Sequence, residues 1–157
     1  MEAIKKEITF KKLIEVHDAI VYMNYQKKNR LSLSIWQLGE YMKYPFEQYN
    51  KKVLLLNQKL CSTDKDGNFY LDENGNPLYT KFSREKALER EVEYKKLKDE
   101  TVEMEVKYCQ DFNVIKELEL TFLQVFNGFL FDVTQDQIEK WHMGEEPAKG
   151  EVSKARK

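Results

Sequence analysis

The longest helical pattern in the chain is SIWQLGEYMKYPFEQYNKKVLLLNQKL, residues 34–60. Its apolar residues recur at three- and four-residue steps, and they are Ile35, Leu38, Met42, Phe46, Tyr49, Val53, Leu56 and Leu60. This spacing predicts a long helix with one apolar face packed against at least one other helix. We expect Ser34 to cap the helix, with Gln37 completing a capping box. Pro45 lacks a backbone N–H and predicts a kink, and the pattern ends near Cys61.

Turn-forming residues follow this helix in STDKDGNFYLDENGNPLY, residues 62–79. The same Asp/Asn-Gly cluster occurs twice, at 64–68 and at 72–76, and each copy predicts a reverse turn between short strands. Asn74-Gly75 is the dipeptide that a tight hairpin turn prefers, because both central residues need positive φ. The stretch therefore predicts a small β-hairpin that connects the long helix to a returning one.

The same stretch partly matches the calcium-binding loop of an EF-hand. Counting from Ser62 as the first ligand position places Asp64 third and Asp66 fifth, and Glu73 takes the twelfth position. However, Ser62 is a neutral ligand where a carboxylate is wanted, and Asn-Gly-Asn-Pro at 74–77 cannot continue a helix after Glu73. The pair of turns explains more of the stretch. A calcium site formed by Asp64, Asp66 and Glu73 is kept as the alternative, and no cofactor is otherwise expected.

Two further helices flank the long one. The segment 11–26 has apolar residues at helical spacing, and the charged segment 84–99 should be half solvated. We expect Ser83 to cap the second of these helices. Leu88 and Val92 share a face and are expected to be its packing residues, with Ala87 and Leu97 as candidate additions.

The remaining elements are shorter. EITF at 7–10 predicts a strand, and the alternation of apolar and charged residues at 102–108 predicts a half-buried strand that could pair with it near Ile8. Capping patterns at Thr121 and Thr134 predict an apolar helix and a last short helix.

These elements predict an α+β fold, mainly α. A long antiparallel helical hairpin is connected by the small β-hairpin, and a short two-stranded sheet and C-terminal helices complete it. A turn or short helix is expected at 111–117. Residues 1–142 should form a single domain, and 143–157 a polar C-terminal tail that cannot bury enough apolar surface to order itself.

Composition excludes several classes of function. The formal net charge of the 157 residues is −1, so no overall field draws the chain to nucleic acid or to an anionic membrane. The apolar runs at 53–56 and 129–131 are far too short to span a bilayer. Cys61 and Cys109 have no paired spacing, which favours a reducing, cytoplasmic setting.

Neither zinc binding nor nucleophilic catalysis is indicated. His17 and His142 lie far apart and give no ligand pair with the two cysteines. The sequence also contains no nucleophile-elbow or phosphate-loop motif. We therefore do not expect an enzyme.

Aromatic residues are concentrated in the first two helices. They are Tyr22, Tyr25, Trp36, Tyr41, Tyr44 and Tyr49. Tyrosine and tryptophan in surplus often serve protein recognition, because they bring a large contact area at modest entropic cost. The equal alternative is that these aromatic side chains cover neighbouring helices of the same chain.

The order of these motifs resembles a family of small phage proteins that share a domain of unknown function. The matching pieces are EITFKKLIEVHDAI, LSLSIWQLGEYMKYPFEQYNKKVLLLNQK, DKDGNFYLDENGNPLY, REKALEREVEYKKLKDETVEMEV and ELELTFLQVF. They cover most of residues 7–130, whereas Pro45 and the extension 132–157 depart from the pattern. The resemblance implies a viral origin and a small non-enzymatic protein, and the family offers no catalytic residues to carry over.

The leading hypothesis is a phage-encoded protein that binds a host or defence protein in the host cytoplasm through its helical-hairpin surface. One alternative is a virion or assembly component that forms a homo-oligomer through the apolar face of residues 34–60. The other is the calcium-binding protein described above.

Overall fold

Seven helices and strands are formed by the residues that the computed structural model describes, which are 3–25, 32–108 and 118–145. In chain order they are β1 (Ile4–Thr9), α1 (Phe10–Tyr25), α2 (Ser32–Leu60), α3 (Arg84–Asp99), β2 (Thr101–Val106), α4 (Leu120–Phe126) and α5 (Gln135–His142). Five helices and one two-stranded antiparallel sheet in these residues confirm the α+β fold, mainly α. The element expected at 111–117 and most of the tail, 146–157, lie outside the described residues.

The sheet joins the first strand to the strand that follows α3. β1 and β2 pair antiparallel with Ile8 opposite Val102. The alternating pattern predicted the half-buried strand and left its pairing near Ile8 open, and the structure now supplies the direction and the register. Ile8, Met104 and Val106 are buried on the inner face, whereas Glu103 lies on the exposed outer face. The two-residue period of β2 thus reflects a sheet with one face on the core and one in solvent.

The apolar face of α2 is used inside the chain. Its buried members are Ile35, Leu38, Met42, Tyr49 and Leu60, and Phe46 and Val53 pack against them while partly exposed. α1 buries Leu13, Val16 and Ile20 in the same core. The helix begins at Ser32, so Ser34 lies inside it and the predicted cap at Ser34 is wrong. The helix continues through Pro45, which is buried, and ends at Leu60.

α3 returns along α2, and its packing face agrees only in part with the predicted one. The cap is confirmed, since the Ser83 side chain accepts a hydrogen bond from the Lys86 N–H at 3.2 Å. Leu88, Val92 and Ala87 are exposed, so these predictions are wrong, whereas the predicted burial of Leu97 is confirmed. The contacts with α2 are polar or aromatic: Arg90 donates to the Asn57 side chain at 2.6 Å, and the Tyr94 hydroxyl lies 2.5 Å from that of Tyr49. Tyrosine and arginine have apolar bodies that pack well, so a count of aliphatic residues finds Leu97 but misses Arg90 and Tyr94 on the same face.

The C-terminal helices close the core. Phe126, Phe129, Phe131, Ile138 and Trp141 are almost fully buried. Asn127 holds the turn between α4 and α5, because its side chain donates to the Val133 carbonyl at 2.9 Å and accepts from the Val133 N–H at 3.0 Å. The Thr134 side chain accepts from the Gln137 N–H at 3.2 Å, which confirms the predicted start of the last helix.

Candidate functional site

The connector between α2 and α3 contains one turn used twice. The Asp64 carboxylate accepts hydrogen bonds from the N–H groups of Asp66 and Asn68, both at 2.9 Å. Eight residues later, the Asp72 carboxylate accepts the equivalent pair at 2.8 and 2.9 Å. Gly67 and Gly75 hold φ of 80° and 82° at the same place in each turn. Positive φ explains why glycine stands there.

This geometry directs the carboxylate of Asp64 towards its own backbone. Glu73 lies inside the second turn, which Asp72 begins, and the next helix begins only at Arg84. Across 3–25, 32–108 and 118–145, no group of three or more histidine, cysteine, aspartate and glutamate side chains could hold a metal ion. Asp64, Asp66 and Glu73 therefore do not converge on a common point in this structure.

The six aromatic residues of the first two helices separate into two groups. Tyr22, Tyr25, Trp36 and Tyr44 are each more than half exposed. Tyr41 is partly buried against the core.

Tyr49 does not reach the surface. It is only 5% exposed, and its ring packs against Phe10 and Phe46 with centroids 5.4 and 5.8 Å away. Burial, followed by the hydrogen bond with Tyr94, raises the pKa of the Tyr49 hydroxyl. Tyr49 thus serves the intramolecular packing that was the alternative interpretation, and it is not available for a partner.

The exposed aromatic residues lie at different places. Tyr22 rests on Phe122 of α4, with ring centroids 5.7 Å apart. Trp36 and Tyr44 each line a groove along α2, and the two grooves are distinct.

The first groove lies between α1 and α2 and has a volume of about 510 Å³. We call it the α1–α2 groove, and its main apolar lining is Ile20, Val21, Ile35, Trp36, Gly39, Met42 and Phe46. His17 stacks on Phe46 with centroids 4.2 Å apart, so this histidine acts as a flat wall of the groove. Helical spacing had placed Ile35, Met42 and Phe46 on one face, but it did not indicate that Gly39 leaves that face open.

The second groove, of about 710 Å³, runs between β2 and α2. We call it the β2–α2 groove. Residues 101–105 form one side, and Tyr41, Tyr44, Pro45 and Gln48 form the other. The rest of the lining is Lys5, Phe10, Glu40 and Lys52. Five consecutive strand residues line it, so the groove follows the edge of β2. Sequence reasoning found the two tyrosines and the strand but gave no sign that they face each other.

None of the helices in the described segments is both long enough and apolar enough to cross a bilayer. Comparison with protein-family models, with curated proteins and with solved structures finds no match for this chain. The chemistry of the two grooves is therefore the basis on which a function can be proposed.

Proposed function

We propose that this chain is a non-enzymatic protein-binding protein, and that its α1–α2 groove receives the apolar face of a helix from the partner protein. The observation that carries the proposal is Trp36, which is 63% exposed at the side of an apolar groove. Tryptophan is the residue type most often found to dominate binding energy at protein interfaces. An amphipathic helix laid into a groove between two helices is a recurrent mode of recognition.

The charges beside the groove favour a protein over a polyanion. Glu40, Lys43 and Glu47 line its polar side, and Glu40 pairs with Lys43 at 2.8 Å. A nucleic acid or an anionic membrane would require an excess of positive charge, which this rim does not have. A partner helix with mixed charges beside an apolar stripe fits both the rim and the lining.

The groove also has room for a partner's side chains. A Cβ placed on Gly39 would have no heavy atom within 4 Å, so the groove is open in front of this residue. The volume falls within the range of about 300–1,000 Å³ seen for clefts that hold drug-sized ligands. A small apolar molecule is thus the competing occupant that an experiment has to separate from a helix.

The biological setting of the proposal is a phage protein that acts on a host or defence protein in the host cytoplasm. The support for this setting is the sequence resemblance described above. The groove supports the protein-binding part of the proposal and not this setting.

The experiment is photocrosslinking in host lysate from a photoreactive amino acid at Val21, with the same group at Tyr25 as the control. We expect a protein to crosslink to the photoreactive group at Val21. This crosslink should be lost in Trp36→Ala and in Gly39→Leu, whose leucine side chain fills the groove. Tyr25→Ala, which removes an exposed aromatic residue that does not line the groove, should keep the crosslink. Affinity for the purified partner should fall about 30-fold in Trp36→Ala, as for an interface hot spot. Equal binding by Trp36→Ala and wild type, or no protein crosslinked from Val21, would overturn the proposal.

A second candidate function is self-association through α3. The apolar face of α2 is buried in the chain, so a second copy would need another surface. Leu88 and Val92 are 60% and 54% exposed on α3. An antiparallel pair of α3 helices would place Leu88 against Val92 of the second copy and Glu85 against Lys95 of the second copy, a self-complementary arrangement. Sedimentation equilibrium at high micromolar concentration decides this, because a strict monomer excludes it.

A further inference from the structure

The register of the sheet fixes which backbone groups of β2 point outwards. The Phe10 N–H donates to the Glu100 carbonyl at 3.0 Å, and this pair continues the register in which Ile8 faces Val102. Hydrogen-bonded and non-hydrogen-bonded pairs alternate in an antiparallel ladder. Val102 therefore bonds to β1, and the N–H and C=O groups of Glu103 point away from it.

The same alternation turns the backbone of Thr101 and Glu105 outwards. Within the described segments, no side chain or backbone group bonds to the outward N–H and C=O groups of Thr101, Glu103 and Glu105. These groups lie beside the β2–α2 groove. Five strand residues at about 3.3 Å each give an open edge of about 17 Å, enough for a short peptide strand.

The opposite wall of the groove suits an extended chain. Tyr44 is 65% exposed, and Tyr41 and Pro45 stand beside it on α2. Alternate side chains of an added strand point to opposite faces of the sheet. Those on the inner side would meet this aromatic wall, and those on the outer side would lie next to Glu103 and Glu105.

The charge of the outer face distinguishes between possible occupants. Glu7 stands directly opposite Glu103 in the register, and Lys5 is opposite Glu105. Lys5 reaches Glu103 at 3.7 Å, whereas no ion pair to Glu7 or Glu105 is formed within the described residues. A second copy of β2, added antiparallel with the same face outwards, would bring Glu103 or Glu105 against an identical carboxylate. Like charges placed opposite each other destabilise a strand pair, so the edge disfavours a second copy.

We infer that the outer edge of β2 binds an extended peptide segment of a partner protein as a third strand, and that the segment carries lysine or arginine at alternate positions. Its backbone pairs with Thr101, Glu103 and Glu105. Its basic side chains neutralise the carboxylates of the outer face, and its apolar side chains contact Tyr41 and Tyr44. This site is separate from the α1–α2 groove and does not depend on the proposed function.

The test measures binding of a labelled Lys-Val-Lys-Val-Lys-Val peptide by fluorescence anisotropy. The control peptide, Val-Val-Val-Lys-Lys-Lys, has the same charge but cannot present its lysines on one face. We expect the alternating peptide to bind at least about tenfold more tightly, the change expected for one or two lost charge-assisted contacts. Equal binding of the two peptides would mean attraction by net charge alone and would overturn the inference.

Glu103→Pro is the decisive variant. Proline removes the one N–H at this position, and that N–H is not part of the ladder with β1, which is the setting in which edge strands tolerate proline. The variant should bind the alternating peptide at least about tenfold more weakly than wild type. Trp36→Ala should bind it with wild-type affinity. Wild-type affinity in a folded Glu103→Pro protein would contradict the strand addition.

Amide hydrogen exchange decides the question if Glu103→Pro does not fold. In the wild-type protein, the alternating peptide should slow exchange of the Thr101, Glu103 and Glu105 amides. The amides of Val102 and Met104, which already bond to β1, should change little. An unchanged exchange rate of the Glu103 amide in the presence of saturating peptide would contradict the inference.

Discussion

Replacing Asp64 or Asp72 by alanine should destabilise the protein, and replacing Asp66 should not. Asp64 and Asp72 each accept two backbone N–H groups within their own turn. Asp66 is exposed, and among the described residues its carboxylate accepts no hydrogen bond. The three residues are chemically identical, so Asp66→Ala is a matched control for the loss of a surface charge.

The expected magnitude follows from the bonds that are lost. Alanine in place of a side chain that caps free N–H groups costs about 0.5–2 kcal/mol, typically about 1. Both turns are exposed, so water can replace part of each bond, and we expect about 1 kcal/mol for each substitution. For a chain of this size that lowers Tm by about 2–4 °C. The two turns share no hydrogen bond, so the double variant should lose about 2 kcal/mol.

Urea unfolding followed by circular dichroism gives the free energy of unfolding for each variant. Asp66→Ala should lie within about 0.5 kcal/mol of wild type. Asp72→Asn should lose less than Asp72→Ala, because the amide oxygen can still accept. The same series, repeated with calcium, tests the alternative interpretation of this stretch. If Asp66→Ala is as damaging as Asp64→Ala, or if calcium raises the wild-type midpoint, the turns do not explain these carboxylates.

Two further predictions concern the packed parts of the chain. Because burial raises the pKa of Tyr49, the unfolded tyrosine ionises near pH ~10 while the folded one keeps its proton. Wild-type stability should therefore fall as the pH rises above about 10, and Tyr49→Phe should show a smaller fall in urea midpoints compared at neutral and alkaline pH. Gly128 holds φ of 93°, so Gly128→Ala should cost about 1–3 kcal/mol in thermal unfolding. Gly39→Ala, with open space around its Cβ, is the control and should be neutral or stabilising. A larger loss of stability in Gly39→Ala than in Gly128→Ala would refute the backbone argument.

The elements that sequence reasoning identified are those whose signal is local. The repeated turn can be predicted from the sequence because Asp72 and Gly75 repeat Asp64 and Gly67 eight residues later. α2 can be predicted because its apolar residues recur at steps of three and four residues from Ile35 to Leu60. In both cases the residues that make the structure are neighbours along the chain, and no tertiary contact is needed to interpret them.

The packing of α3 and the two grooves needed the structure. Arg90 and Tyr94 contribute the α2-facing side of α3, although they count as polar in a pattern of aliphatic residues. The grooves combine residues far apart in sequence, such as Tyr44 and Glu103. Neither residue carries a local sign that the other lies across from it. The sequence indicates Trp36 as a candidate for recognition but does not decide its exposure, because α1 could as well have covered it.

The two grooves meet at one ridge of α2. Trp36 and Tyr44 are eight positions apart, which is about 80° around a helix of 3.6 residues per turn. Glu40 lies between them in sequence and lines both grooves. A partner that seated a helix beside Trp36 and a strand beside Tyr44 would have to cross the ridge at Glu40. Its two contacts would then be linked, and the second would form at a high effective concentration. Because α2 is a single continuous helix from Ser32 to Leu60, the spacing of the two contacts is fixed by the fold itself.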